Sequence, residues 1–187
     1  TREEDFVEHL FIATTHHYLL FFTNKGKVYR KKVYELPEGS RQAKGVPLVN
    51  FLYFDKGEYV TAVIPVKDFD EDGYLFMATQ EGVVKKTELK EFDSSRKDGL
   101  IAISLDEKDE LIGVRLTTGQ EEMILGTKNG LAIRFHEEEV RPVGRSARGV
   151  KGITLAEGDL VVGLAYAKKD ADLLVITENG FGKRTPL

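Results

Sequence analysis

The sequence predicts an all-β chain, a propeller-like array of four-stranded blades that holds about three and a half repeats and leaves the ring incomplete. Three observations carry that expectation. One eight-residue turn recurs four times with its glycines at positions 26, 82, 130 and 180, a period of 48 to 56 residues. Each of the first three copies is accompanied by the same two further elements, a basic glycine-bearing loop and an acidic turn leading into an apolar strand. No stretch has the period of a long amphipathic helix; residues 83–92 come nearest, and their likeness to two strand-like copies overrules that reading. Repeats of this length, with about four short strands each, are the pattern of propeller blades or a related array whose units bury apolar faces against their neighbours.

The recurring turn reads Thr23-Asn24-Lys25-Gly26-Lys27-Val28-Tyr29-Arg30, Thr79-Gln80-Glu81-Gly82-Val83-Val84-Lys85-Lys86, Thr127-Lys128-Asn129-Gly130-Leu131-Ala132-Ile133-Arg134 and Thr177-Glu178-Asn179-Gly180-Phe181-Gly182-Lys183-Arg184. Each copy follows an apolar run, at 18–22, 74–78, 123–125 and 173–176. An apolar run, polar residues, a glycine and a second run make a β-hairpin, the glycine supplying a positive φ. Hairpins are therefore expected near 18–30, 74–86, 123–134 and 173–184. Upstream, the polar and acidic residues 1–8 are expected to enter the fold, and 10–13 to form a strand joined to 18–22 by Thr14-Thr15-His16-His17. Those two histidines have no third ligand at metal-binding spacing and are read as turn residues; His9 and His136 are equally isolated.

After the first hairpin, residues 38–45 are a loop by composition. The loop returns as Arg145-Ser146-Ala147-Arg148-Gly149 and, shortened, as Arg96-Lys97-Asp98-Gly99, each time followed by apolar residues. The acidic turn and strand recur at 55–63, 107–114 and 156–164.

A composition 41% hydrophobic supplies a core, and the lack of cysteine excludes disulfides and cysteine-based metal sites. With no run of 18 apolar residues and no signal-peptide pattern, a soluble cytoplasmic chain is expected. The net charge of −4 counts against a polyanion partner until it is divided by repeat. Residues 26–45 carry six bases and two acids, 82–99 five and four, and 130–152 five and three; the segments between them reverse sign. Segregation of that kind builds a local positive field on an acidic protein.

The fourth residue after each repeat glycine is basic: Arg30, Lys86, Arg134 and Arg184. Because residues two apart share a strand face, these four charges are expected to project alike from equivalent hairpins into solvent. Lys27, Lys31, Lys32, Lys85 and Lys183 join them, and Arg41, Lys44, Arg145, Arg148 and Lys151 add the loops. Long basic side chains beside accessible glycine backbone suit phosphate oxygens.

Asn179-Gly180-Phe181-Gly182-Lys183-Arg184-Thr185, Gly149-Val150-Lys151-Gly152-Ile153, and Val33-Tyr34-Glu35-Leu36-Pro37 followed by Lys44-Gly45-Val46-Pro47-Leu48-Val49-Asn50 resemble the C-terminal domain of the bacterial DNA gyrase A protein. The likeness covers essentially the whole chain; the related topoisomerase IV protein shares less of this wording. What it implies is a β-pinwheel, whose blades exchange strands with their neighbours and whose basic perimeter binds, bends and wraps duplex DNA without sequence preference. The fourteen bases above are then the DNA-binding set. The implied partners are duplex DNA, gyrase B and the remainder of the gyrase A protein, with no cofactor. The family's glycine-rich basic heptapeptide lies upstream of sequence like residues 1–6 and is not in this chain, and the natural protein is expected to be longer.

An enzyme is not expected, since no Gly-x-Ser-x-Gly, P-loop or His-Glu-x-x-His occurs and the parent's DNA-cutting tyrosine belongs, by the resemblance, to another domain. A protein-interaction propeller is the alternative of a different class, weakened in its WD40 form by the lack of tryptophan. A topoisomerase IV domain that binds DNA without strong wrapping is the other.

Overall fold

The structure, a computed structural model, describes residues 6–94, 96 and 99–187. Its first hairpin joins β1 (Tyr18–Thr23) to β2 (Lys27–Lys32), and β3 (Val60–Val66) lies along the free side of β1. The second unit repeats the plan with β4 (Tyr74–Thr79), β5 (Val83–Glu88), the two-residue β6 (Leu100–Ile101) and β7 (Leu111–Thr117). The third has β8 (Glu122–Thr127), β9 (Ala132–His136), β10 (Val150–Lys151) and β11 (Val161–Tyr166); the fourth has β12 (Asp172–Ile176) and β13 (Gly182–Pro186). Residues 83–92 become β5 and a short 3-10 turn, Leu89–Phe92, in keeping with the strand reading.

The hairpin turn is built alike each time. The amide of Gly26, Gly82, Gly130 and Gly180 donates to the carbonyl of the threonine three residues earlier. In the last three copies the threonine hydroxyl also accepts from the amide after the glycine, at 3.1 Å. That explains threonine in these three copies: its hydroxyl satisfies an amide that the bend takes out of the ladder, whereas the buried Thr23 hydroxyl of the first copy makes no such bond.

The fourth strand of a sheet does not come from its own unit. β6, which follows the second hairpin, pairs with β2 through Lys27↔Ile101 and Val28↔Leu100. β10, which follows the third, pairs with β5 through Val150↔Val84 and Lys151↔Val83. The sheets therefore run β3-β1-β2-β6, β10-β5-β4-β7, β11-β8-β9 and β12-β13, and they do not close. Two sheets have four strands, where the repeat count suggested about three, because a sheet is completed only by the following unit. The exchange that the family resemblance implies is present.

Alternate residues of each central strand serve different cores. Leu75 and Met77 face the first sheet, packing with Leu20, Phe22, Ile64 and Phe92, while Phe76 and Ala78 face Met123, Leu125 and Leu164 of the third. Burial on both faces is why the first two runs, Tyr18 to Phe22 and Tyr74 to Ala78, are apolar without alternation. Residues 10–13 are not a strand, contrary to expectation: β3 and β6 already hold both edges of the first sheet, and Leu10 and Ile12 stay exposed. The turn at Thr14 to His17 does form. The expectation that residues 1–8 enter the fold lies, for 1–5, outside the described residues.

The turn glycine is also where the exchanged segment lands. Gly26 O accepts from the amides of Ala102 and Ile103 (2.8 and 3.2 Å), and Gly82 O from those of Gly152 and Ile153 (2.8 and 3.3 Å). A Cβ on Gly82 would stand 2.8 Å from Ile153 Cγ2, whereas one on Gly130, at the same φ of +86°, would meet nothing within 4 Å. Gly130→Ala is thus expected to cost only the left-handed strain, about 1–2 kcal/mol. Gly82→Ala is expected to cost a further ~1–3 kcal/mol by displacing the exchanged segment. Chemical denaturation of both variants checks this; equal losses would mean that the landing is not tight.

Candidate nucleic-acid interface

The bases four residues after the repeat glycine do project alike, but in the first two units they point into the next unit. Arg30 is nearly covered: its guanidinium donates to Asp93 Oδ1 (2.9 Å) and to Ser94 O, and lies 5.1 and 5.4 Å from the rings of Tyr18 and Phe69. Lys86 is 4% exposed, donating to Glu137 O at 2.9 Å with Tyr74 as its ring neighbour. Arg134 and Arg184 are exposed and turn to acids of their own hairpins, Glu122 and Asp172. The difference is written eight residues before each glycine, where Tyr18 and Tyr74 are replaced by Glu122 and Asp172. An aromatic there floors a cation that reaches onward; an acid holds it at home.

The expected solvated stripe is accordingly corrected. Lys85 is buried as well, 1% exposed, its Nζ donating to Ala102 O (2.6 Å) and Arg145 O. Lys85 and Lys86 spend their donors on protein carbonyls because the following unit lies directly over β5. In the first unit Lys27 pairs with Asp55, whose hydrogen bond raises the lysine pKa despite partial burial. Lys32 donates to His16 O (3.1 Å) above the ring of Tyr18, and Lys31 is half-buried.

The loops match a surface role better. Arg41 and Lys44 stand exposed in the 38–45 loop, and Lys151 on β10 and Lys183 on β13 are exposed too. In the 144–149 loop Arg148 is exposed and pairs with Asp106 (2.8 Å), while the half-buried Arg145 donates to Ile101 O (2.6 Å). Of the shortened loop, Lys97 and Asp98 lie outside the described residues; Arg96 is exposed.

The repeating acids go the other way. Glu58, Asp109 and Asp159 are all buried, and Asp109 and Asp159 accept the amides of Glu81 (2.9 Å) and Asn129 (3.0 Å) in the hairpin turns. Burial works to raise the Asp159 pKa, but hydrogen bonds from Thr127 and two amides hold it below the ordinary value. The charge segregation thus has a structural half, acids serving as turn caps. Sequence reasoning missed Ser104, whose hydroxyl donates to Ser146 O at 2.7 Å. Its signal was Asn50, Ser104 and Thr154, a polar residue five positions after each loop glycine.

The family described as "DNA gyrase C-terminal domain, beta-propeller" matches residues 17–67, 73–118, 121–168 and 171–187. The chain belongs to the DNA gyrase C-terminal domain family. It is 54% identical over 190 residues to the DNA gyrase A protein of Staphylococcus aureus strain MRSA252, and equally to that of strain COL, covering all of this chain and 21% of each relative. Among solved structures it is similar to a DNA topoisomerase IV C-terminal domain (TM-score 0.87, 39% identity, 92% of this chain and 54% of that one). A DNA gyrase A C-terminal domain matches at TM-score 0.75 and 31% identity, over 92% of this chain and 55% of that one. Both gyrase and topoisomerase IV neighbours therefore share the fold of this gyrase-family domain.

Two outcomes follow from this geometry. Arg30→Met is expected to destabilise the chain by about 1–3 kcal/mol, because it removes the charge-assisted bonds of a nearly covered guanidinium to Asp93 and Ser94 of the second unit, whereas Arg134→Met costs no more than ~1 kcal/mol at its exposed ion pair. Equal effects in thermal or chemical denaturation would refute a stabilising contact of Arg30 with the second unit. Burial, with Arg145 adding like-charge repulsion against the opposing pull of Glu91, lowers the Lys85 pKa from 10.5 to about 8. Between those values the unfolded chain holds the extra proton, so stability rises with pH, by on the order of a few kcal/mol. Melting curves of the chain and Lys85→Met from pH 7 to 10 check it; parallel pH profiles would contradict the burial.

Proposed function

We propose that this domain binds duplex DNA through its phosphates, without sequence preference, and bends or wraps it as an accessory part of a type II topoisomerase. The chain spans about a fifth of the length of the gyrase A relatives it matches. Its partners in this reading are gyrase B and the remainder of a gyrase A protein, and the reaction served is the introduction of negative supercoils. One observation carries the proposal: Glu58, Asp109 and Asp159 are drawn inward while Arg41, Lys44 and Arg148 stand exposed on the repeated loops and Lys151 on β10. Withdrawing those acids favours a local positive field at these bases although the chain is acidic overall. Arg30, Lys85 and Lys86 of the first two hairpins support the surface from beneath, while Arg134, Lys183 and Arg184 of the last two stand exposed.

Engagement of about four phosphates gives a slope near −3.6 for log K against log salt. Arg41→Gln with Lys44→Gln is expected to weaken binding to unrelated duplexes alike and to flatten the slope by about 1.8. Lys56→Gln with Lys108→Gln, on exposed lysines of the acidic segments, is expected to change neither. A flat salt response, a strong preference for one sequence, or equal losses from both pairs would overturn the reading, and a peptide-binding propeller would show no DNA affinity at all.

A further inference from the structure

The 144–149 loop belongs to the third unit, yet most of its tethers come from elsewhere. Its consecutive carbonyls at Arg145, Ser146 and Ala147 accept from Lys85 Nζ, Ser104 Oγ (2.7 Å) and Ser104 N (3.2 Å). Arg145 Nη1 reaches back to Ile101 O, Arg148 to Asp106, and a Cβ on Gly149 would stand 2.3 Å from Val84 O. With three carbonyls turned inward, the loop presents side chains, not carbonyl oxygens, to an incoming anion.

Among these tethers Lys85 is the buried one, and its charge is not required by the hairpin. The same position holds Tyr29 in the first unit and Ile133 in the third. Burying an ammonium is costly unless strong acceptors surround it. Here the two acceptors are Ala102 O, beside the strand exchanged into the first sheet, and Arg145 O of the basic loop. Charge-assisted bonds to both set the spacing between these two segments more firmly than a neutral contact would.

We propose that Lys85 is a positioning residue for phosphate binding: its buried ammonium ties the third unit's basic loop to the strand shared by the first two, and so fixes where Arg148 and Lys151 meet the DNA backbone. This rests on the DNA-binding reading above. Lys85 itself touches no phosphate, so its whole effect passes through the loop.

The test uses the full chain and duplexes of two unrelated sequences. Lys85→Met is expected to speed amide exchange at residues 144–149 while leaving β4 and β5 protected, and to weaken binding roughly three- to tenfold, about the effect of one lost phosphate contact. In a background already carrying Arg148→Gln and Lys151→Gln, Lys85→Met is expected to change affinity by less than twofold and to leave the salt slope unaltered. Ser104→Ala, which removes the neighbouring tether, is expected to show the same dependence on background and serves if Lys85→Met does not fold. An equal loss in both backgrounds, no loss in the unmodified one, or unchanged exchange in the loop would overturn the inference with DNA binding intact. Failure of the unmodified chain to bind either duplex would overturn the functional reading and this inference together.

Discussion

The structure depends on one contact made twice, the carbonyl of a turn glycine receiving two amides from the following unit. At Gly26 and Gly82 this contact fixes the level at which the next segment crosses, and with it the two-residue pairing of β6 on β2 and of β10 on β5. The glycine is needed for two separate reasons there, its left-handed φ and the lack of room for a Cβ. The 144–149 loop hangs from that crossing, tied to Lys85, Ile101 and Ser104. Lys85 binds the segment landed at Gly26 through Ala102 and the basic loop through Arg145.

Charge in this chain has two jobs that composition cannot separate. Glu58, Asp109 and Asp159 are buried, and the two aspartates cap amides of hairpin turns; Arg30, Lys85 and Lys86 are covered and accepted by carbonyls or carboxylates of the neighbouring unit. Both sets recur because the fold recurs. The bases left for solvent are on loops, where the backbone has no ladder to satisfy and side-chain identity is least constrained by packing.

The hairpins, the acidic turn-and-strand and the loops could all be read from the chain because each is a local pattern: a glycine at a fixed offset, an apolar run, a polar cluster. The partner of β2 could not, since Leu100 and Ile101 show no more periodicity than any short apolar stretch, and the preference for another unit's edge is decided by tertiary room. The burial of Lys85 and Lys86 was hidden for a related reason. Strand alternation assigns a face, but whether that face meets water depends on what the following unit lays over it. Comparing Tyr18 and Tyr74 with Glu122 and Asp172 separates the two outcomes, and that comparison needs only the sequence.

Because the first two sheets are each finished by the unit that follows, the repeat in the sequence and the module in space are out of step by one strand. The second unit carries both a plug and a socket: its β6 pairs with β2 at Val28, and its own β5 receives β10, where Gly152 fits against Val84. A chain growing by duplication of such a unit gains a matched joint at every copy, so the array can lengthen without inventing a new interface. The same arrangement restrains the shuffling of single units, since a donor with a residue bulkier than glycine at position 152 would press on Val84. Growth by tandem copying is permitted by the geometry, and exchange between unlike arrays is restrained by it.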